Sequence, residues 1–196
     1  MERMKLQVEN YKIKLCGLER ILPIIPIDEE MAFASFVVLG DTELISACAP
    51  VLAEKIGEVD AIVTAEAKGI ALSYEISRIL GLKEFVVVRK SVKSYMKDTV
   101  SVPVNSITTK GEQRLYLDGI DAEKIKGKKV CILDDVISTG HSLAALEDLA
   151  KTAGADVVVK AALLAEGDAA DRDDIVFLEK LPLLQKNADG EYEAKE

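Results

Sequence analysis

The sequence predicts an α/β protein built on a doubly wound, mainly parallel sheet. Three observations predict it. From residue 35 onward, short apolar runs alternate with segments at helical spacing, the pattern of strand–helix–strand crossovers. Apolar residues make up 49% of the chain but aromatics only 5%, with no Trp, so the core is aliphatic, as suits buried parallel strands covered by helices. The 196 residues suit a single domain over 1–196 and carry no internal repeat or low-complexity stretch.

The elements follow in order. Residues 1–34 place Pro23 and Pro26 around Ile24-Ile25 and read as an irregular, extended apolar segment laid over the rest of the domain, because proline interrupts helices and ladders. Ser35–Leu39 reads as a first strand. Glu43–Ile56 is a helix with Leu44, Ile45, Cys48, Leu52 and Ile56 on one face, stopped by Gly57. Asp60–Ala65 is a strand, Gly69–Leu80 a helix, and Glu84–Val88 a third strand. Residues 89–120 break the alternation: Thr99–Val104 and Gln113–Leu117 are β-like, so this interval is an inserted hairpin and mobile loop. Lys129–Leu133 is a fourth strand, Thr139–Ala153 a helix, Ala155–Leu164 a fifth strand and Ile175–Leu178 a sixth. The polar tail, 186–196, is expected to fray.

The net charge is −9, which argues against nucleic acid as a partner. That charge is unevenly spread. Residues 68–97 hold seven cations against two carboxylates, a local +5, leaving −14 for the remainder. Cys16, Cys48 and Cys131 lack metal-ligand spacing and read as reduced thiols. No signal peptide and no membrane span is apparent, so a cytoplasmic protein without a membrane partner is expected.

In open parallel sheets, ligands bind beyond the carboxyl ends of the strands. The run Val130–Ser142 is the most informative there: an apolar strand, the adjacent acids Asp134 and Asp135, then Val136, Ile137, Ser138, Thr139, Gly140, His141 and Ser142 leading into a helix. Loop N–H groups at a helix N-terminus, together with the hydroxyls of Ser138, Thr139 and Ser142, suit a phosphate. Carboxylates would repel a phosphate but accept hydrogen bonds from sugar hydroxyls. One segment thus offers complementary groups for a ribose 5-phosphate. Neither GxxxxGK[ST] nor GxGxxG occurs after any strand.

This run resembles the motif by which type I phosphoribosyltransferases bind 5-phosphoribosyl 1-pyrophosphate (PRPP). Glu66-Ala67-Lys68-Gly69 is similar to the loop after the second strand in the adenine-type and xanthine-type branches, and Arg89-Lys90 to their dibasic pair after the third strand. The resemblance implies transfer of the 5-phosphoribosyl group to a purine base, with adenine favoured. Xanthine, hypoxanthine, guanine or orotate remain alternatives, as does a non-catalytic PRPP-sensing regulator on the same fold.

The resemblance also implies roles. Asp134 and Asp135, with Tyr95 from a loop closing over the ligand, are the catalytic set. Ser138, Thr139, Gly140, His141 and Ser142 take the 5-phosphate. Glu66, Ala67, Lys68, Gly69, Arg89, Lys90 and Lys93 take the pyrophosphate. The segment 1–34 forms a small hood whose Ile24 and Ile25 contact the base, with Val136 and Ile137 on its other face. Mg²⁺ is held mainly through PRPP and water rather than by dedicated residues, and the protein is a homodimer.

Overall fold

The computed structural model describes residues 10–104 and 113–195. The chain opens with an antiparallel meander of β1 (Asn10–Leu15), β2 (Leu18–Pro26) and β3 (Met31–Ala34). Cys16 and Gly17, both at positive φ, make the tight turn between β1 and β2. The expectation of irregular structure over 1–34 is therefore corrected for its described part. Pro23 and Pro26 sit in β2, a strand whose residues alternate between exposed and buried rather than crossing a core on both faces. Ser35–Leu39, expected to be a strand, is not one. The Ser35 N–H reaches the Pro23 carbonyl at 2.9 Å, and the chain then leaves the sheet with Phe36 and Val38 buried and Val37 and Leu39 exposed.

Helix α1 (Thr42–Ile56) is capped by Asp41, whose side chain accepts from the Leu44 N–H. Then come β4 (Ala61–Ala65), α2 (Ile70–Ile79), β5 (Val86–Val88), the hairpin β6 (Val100–Val104) with β7 (Gln113–Leu117), α3 (Gly119–Ile125), β8 (Lys129–Ile137), α4 (His141–Thr152) and β9 (Asp156–Glu166). A 3₁₀ turn over Gly167–Asp171 leads to β10 (Glu179–Leu181), β11 (Leu183–Lys186) and β12 (Tyr192–Ala194). The central sheet runs β10-β9-β8-β4-β5, parallel throughout.

Helices cover both of its faces. Leu44, Cys48 and Leu52 of α1 and Leu72 and Ile76 of α2 pack with Cys131 and Leu133 of β8. Ile125 of α3 and Leu146 and Leu149 of α4 pack with Val130 and Ile132. Adjacent residues of one strand thus feed opposite cores, the signature of a doubly wound sheet.

Two more expectations are corrected. Residues 129–133 are only part of β8, which continues through Asp134 and Asp135 to Ile137, because Val136 and Ile137 still pair with Leu164 and Ala165 of β9. The hairpin within 89–120 is present, with Leu115 and Leu117 buried against α4 and β5 and with Arg89 and Tyr116 exchanging backbone hydrogen bonds of 2.8 Å. Residues 105–112 lie outside the described part. The tail expected to fray instead supplies β12, which pairs with β11, and β11 pairs with β3. The hood is accordingly a five-stranded sheet, β1-β2-β3-β11-β12, drawn from both halves of the sequence. Arg20 of β2 ties it to the core, donating from Nε to Asp41 (2.6 Å) and from Nη2 to Glu43 (2.7 Å). Among the described residues no helix is long and apolar enough to cross a membrane.

Candidate active site

Two loops meet beyond the carboxyl ends of neighbouring strands β4 and β8. Residues 66–69 follow β4, and Ser138–Gly140 follow β8. Between them lies a cavity of about 260 Å³, lined by Glu66, Ala67, Lys68, Lys90, Asp134 and Asp135, with Leu115 of β7 closing one side. A second cavity of about 100 Å³ adjoins it, sharing Asp134, Val136 and Ser142, and is formed by Ser138, Thr139 and Gly140.

Gly69 is where the two strands permit closest approach. A Cβ there would run into Thr64 Oγ1 and stand 3.5 Å from the Leu133 carbonyl oxygen, so only glycine lets the 66–69 loop lie against β4 and β8. The Glu66–Ala67 peptide is cis. Lys68 turns inward and places Nζ 2.9 Å from Asp135 Oδ2. Asp135 is 1% exposed, and this ammonium is the cation that compensates its charge among the described residues. Its neighbour Asp134 accepts the Asp135 N–H at 2.8 Å. Burial, and then the charge of Asp135, pushes the Asp134 carboxyl up to about 7. Near neutrality it can therefore exist as acid or carboxylate, able to donate to or accept from a hydroxyl.

Glu66 does not face the cavity as an anion on its own. It accepts the Lys90 N–H (2.7 Å) and Arg89 Nη1 (3.2 Å), and Lys93 Nζ lies 3.7 Å away. These contacts, the Lys90 N–H foremost, hold its carboxyl below the usual glutamate range. Glu66 thus gathers the basic residues that follow β5. A carboxylate would repel pyrophosphate, so its direct contact with that group is not what this geometry offers.

At the other loop, Gly140 adopts a left-handed φ of 79° at the N-cap of α4, and Thr139 Oγ1 lies 3.1 Å from His141 Nδ1. Several N–H groups of the first α4 turn have no intrahelical acceptor and are available to an anion.

The expected residues divide by location. Glu66, Ala67, Lys68, Lys90, Asp134, Asp135, Ser138, Thr139, Gly140 and Ser142 come together around the two cavities. Gly69, Arg89, Lys93 and His141 stand immediately beside them through the contacts above. Val136 and Ile137 belong to β8 rather than to a loop, and Ile137 is 2% exposed in the core. Ile24 and Ile25 lie in β2 and line neither cavity, and Tyr95 is 59% exposed in the segment between β5 and β6. Two neighbours were missed: Leu115, which lines the larger cavity, and Arg172, whose guanidinium stands against Gly140. Leu115 reads as ordinary strand apolarity. Arg172 reaches Gly140 from 32 positions away, so no local signal announces it.

Residues 41–190 match the family model described as the phosphoribosyl transferase domain. A hypoxanthine/guanine phosphoribosyltransferase of Methanococcus maripaludis (strain C5) is 44% identical over 100 residues, which are 51% of this chain and 50% of that one. The chain thus spans about half the length of the curated relatives it matches. Among solved structures, the adenine phosphoribosyltransferase of Rhodothermus marinus superposes with a TM-score of 0.66 at 24% identity, over 82% of this chain and 94% of that one. The corresponding enzyme of Thermoanaerobacter pseudethanolicus gives 0.65 at 24%, over 81% and 95%. At that identity the likeness is one of fold.

Proposed function

The chain belongs to the phosphoribosyltransferase family, and on that premise we propose that it moves the 5-phosphoribosyl group of PRPP onto a ring nitrogen of a purine base, releasing pyrophosphate. The observation that carries the proposal is the convergence of an anion cradle, two carboxylates and a basic cluster around two adjoining cavities. The loop Ser138–Ser142 takes the 5-phosphate on N–H groups and hydroxyls. Asp134 and Asp135 accept the ribose hydroxyls and stabilise the positive charge that develops as the C1–pyrophosphate bond breaks. Lys68, Arg89 and Lys90 meet the departing pyrophosphate, while Glu66 aligns Arg89 and Lys93. Tyr95 and the residues around it close over the ligand and keep water from PRPP. Ile24 and Ile25 approach the base from the hood, opposite Val136.

Among the described residues no group of three or more His, Cys, Asp and Glu is placed to hold a metal ion, and Glu66 is already engaged by cations. In this reading Mg²⁺ would be carried on PRPP and water oxygens, with Asp134 and Asp135 as the neighbouring carboxylates. Bound there, the ion would neutralise charge on the leaving pyrophosphate.

The choice of base is open between two readings. The sequence Glu66–Gly69 favours adenine, but this loop lines the cavity with Asp134 and Asp135, and neither Ile24 nor Ile25, the hood residues assigned to the base, lines it. The 44% identity to the M. maripaludis protein favours hypoxanthine or guanine instead. Incubating the protein with PRPP, Mg²⁺ and each of adenine, hypoxanthine, guanine, xanthine and orotate, while following pyrophosphate release, decides between them. Binding of PRPP without turnover of any base would replace the enzyme with a PRPP-sensing regulator. The same reading includes a cytoplasmic homodimer, for which light scattering gives the mass.

A further inference from the structure

Beside the phosphate loop, the guanidinium of Arg172 fills the space that a side chain on Gly140 would take. A Cβ built on Gly140 would lie 2.5 Å from Arg172 Nη1. The guanidinium is held from its other edge. Nε and Nη2 donate to the two oxygens of Asp174, each at 2.8 Å, a two-toothed fork that fixes the plane of the group. Asp174 is itself gripped by Lys160 of β9 (2.7 Å), and Lys160 also bonds Glu147 of α4 (3.1 Å). This chain of charges joins β9, the body of α4 and the segment after the 3₁₀ turn, and it ends on Gly140. Only Nη1 finds no acceptor among the described residues. It is presented to a loop whose shape depends on a left-handed residue at the N-cap of α4.

We propose that Arg172 is a positioning residue of the 5-phosphate site. It holds Gly140 in the left-handed turn from behind and sets a fixed positive charge against the loop that receives the phosphate. The proposal rests on the phosphoribosyltransferase reading and extends it to a residue that no motif marks. Glycine is flexible at such a position, and a loop that must present several N–H groups to one anion gains from a rigid neighbour. Lysine cannot replace it, because an ammonium cannot hold both oxygens of Asp174 in a plane and still reach Gly140.

The test uses the full chain and two probes, PRPP in turnover and ribose 5-phosphate in calorimetry. Arg172→Ala is expected to raise the PRPP KM and the ribose 5-phosphate Kd about tenfold, equivalent to about 1.4 kcal/mol. The base KM and kcat should stay within about twofold. Arg172→Lys should recover little of the loss. Gly140→Ala should raise the same two constants, and adding it to Arg172→Ala should cost less than the product of the single effects, because both disturb one contact. Melting curves show whether each variant is folded, and Asp174→Asn, which loosens the fork without touching Gly140, should shift the same constants should Arg172→Ala fail to fold. Wild-type constants in Arg172→Ala, full recovery in Arg172→Lys, or independent effects of the pair would overturn the proposal while leaving the function intact. A wild-type protein that binds neither probe and turns over no base would overturn the function, and this inference with it.

Discussion

Lys68 and Asp135 form an ion pair of 2.9 Å across the gap between the 66–69 loop and β8, one partner 46% exposed and the other 1%. The asymmetry sets what the pair does. The carboxylate is almost closed to water, so the lysine is its source of opposite charge, whereas the lysine can leave for another anion if one arrives.

Replacing Lys68 with Met should therefore destabilise the fold, by about 1–3 kcal/mol, since an uncompensated buried carboxylate remains. Adding Asp135→Asn should restore most of that loss by removing the charge. Urea unfolding of the single and double variants checks both. Equal stability of wild type and Lys68→Met would show that the pair has no structural role.

The raised Asp134 carboxyl makes stability depend on pH. Its folded value is about 7 and its ordinary value 3.8, so between the two the folded protein retains a proton that the unfolded chain has released. The stabilisation is complete below about pH 4 and is lost as pH rises through 7. Asp134→Asn cannot titrate. Relative to that variant, the wild type should lose on the order of a few kcal/mol between pH 4 and pH 8. Parallel unfolding curves for the two proteins over that range would refute the assignment.

Glu66→Gln keeps the shape of the side chain and removes the charge facing Arg89 and Lys93. Those cations should then spread apart, raising the PRPP KM several-fold, with the base KM nearly unchanged. Steady-state kinetics with each substrate varied in turn separates the two.

Gly69→Ala should cost about 1–3 kcal/mol through overpacking, because the new methyl meets Thr64 Oγ1 and the β8 backbone. Gly69 has an ordinary φ of −76°, so the penalty is steric and not conformational. Adding Thr64→Ala to it should recover part of the stability. No recovery in thermal melts would refute Thr64 Oγ1 as the source of the strain.

What could be read in the sequence follows from how local each signal is. Asp134, Asp135 and the Ser138–Ser142 loop are contiguous, and a phosphate beside a sugar constrains residue types within a few positions. The central strands announce themselves as apolar runs because both faces are buried. Ser35–Leu39 shows where that rule misleads: Phe36 and Val38 are buried by an extended segment with no strand beside it. Helix α3 escaped notice because its seven residues carry only Ala122 and Ile125 as buried anchors. Arg172 over Gly140, and β11 against β3, join residues far apart in the chain, and nothing in either partner alone specifies the other.

The hood sheet has a consequence for assembly order. In the central sheet each strand docks on one made before it, with helices packed as they emerge. Strand β3 instead pairs Phe33 with Leu183, about 150 positions later. On the ribosome, β1 to β3 must wait with an open, hydrogen-bond-hungry edge until nearly all the rest has been synthesised. The α/β body can therefore condense first, and the second sheet is finished last, by the arrival of β11 and β12. A nascent chain halted before residue 183 would hold both loops that line the two cavities yet lack the completed second sheet, and its uncovered β3 would be the place where two such chains adhere.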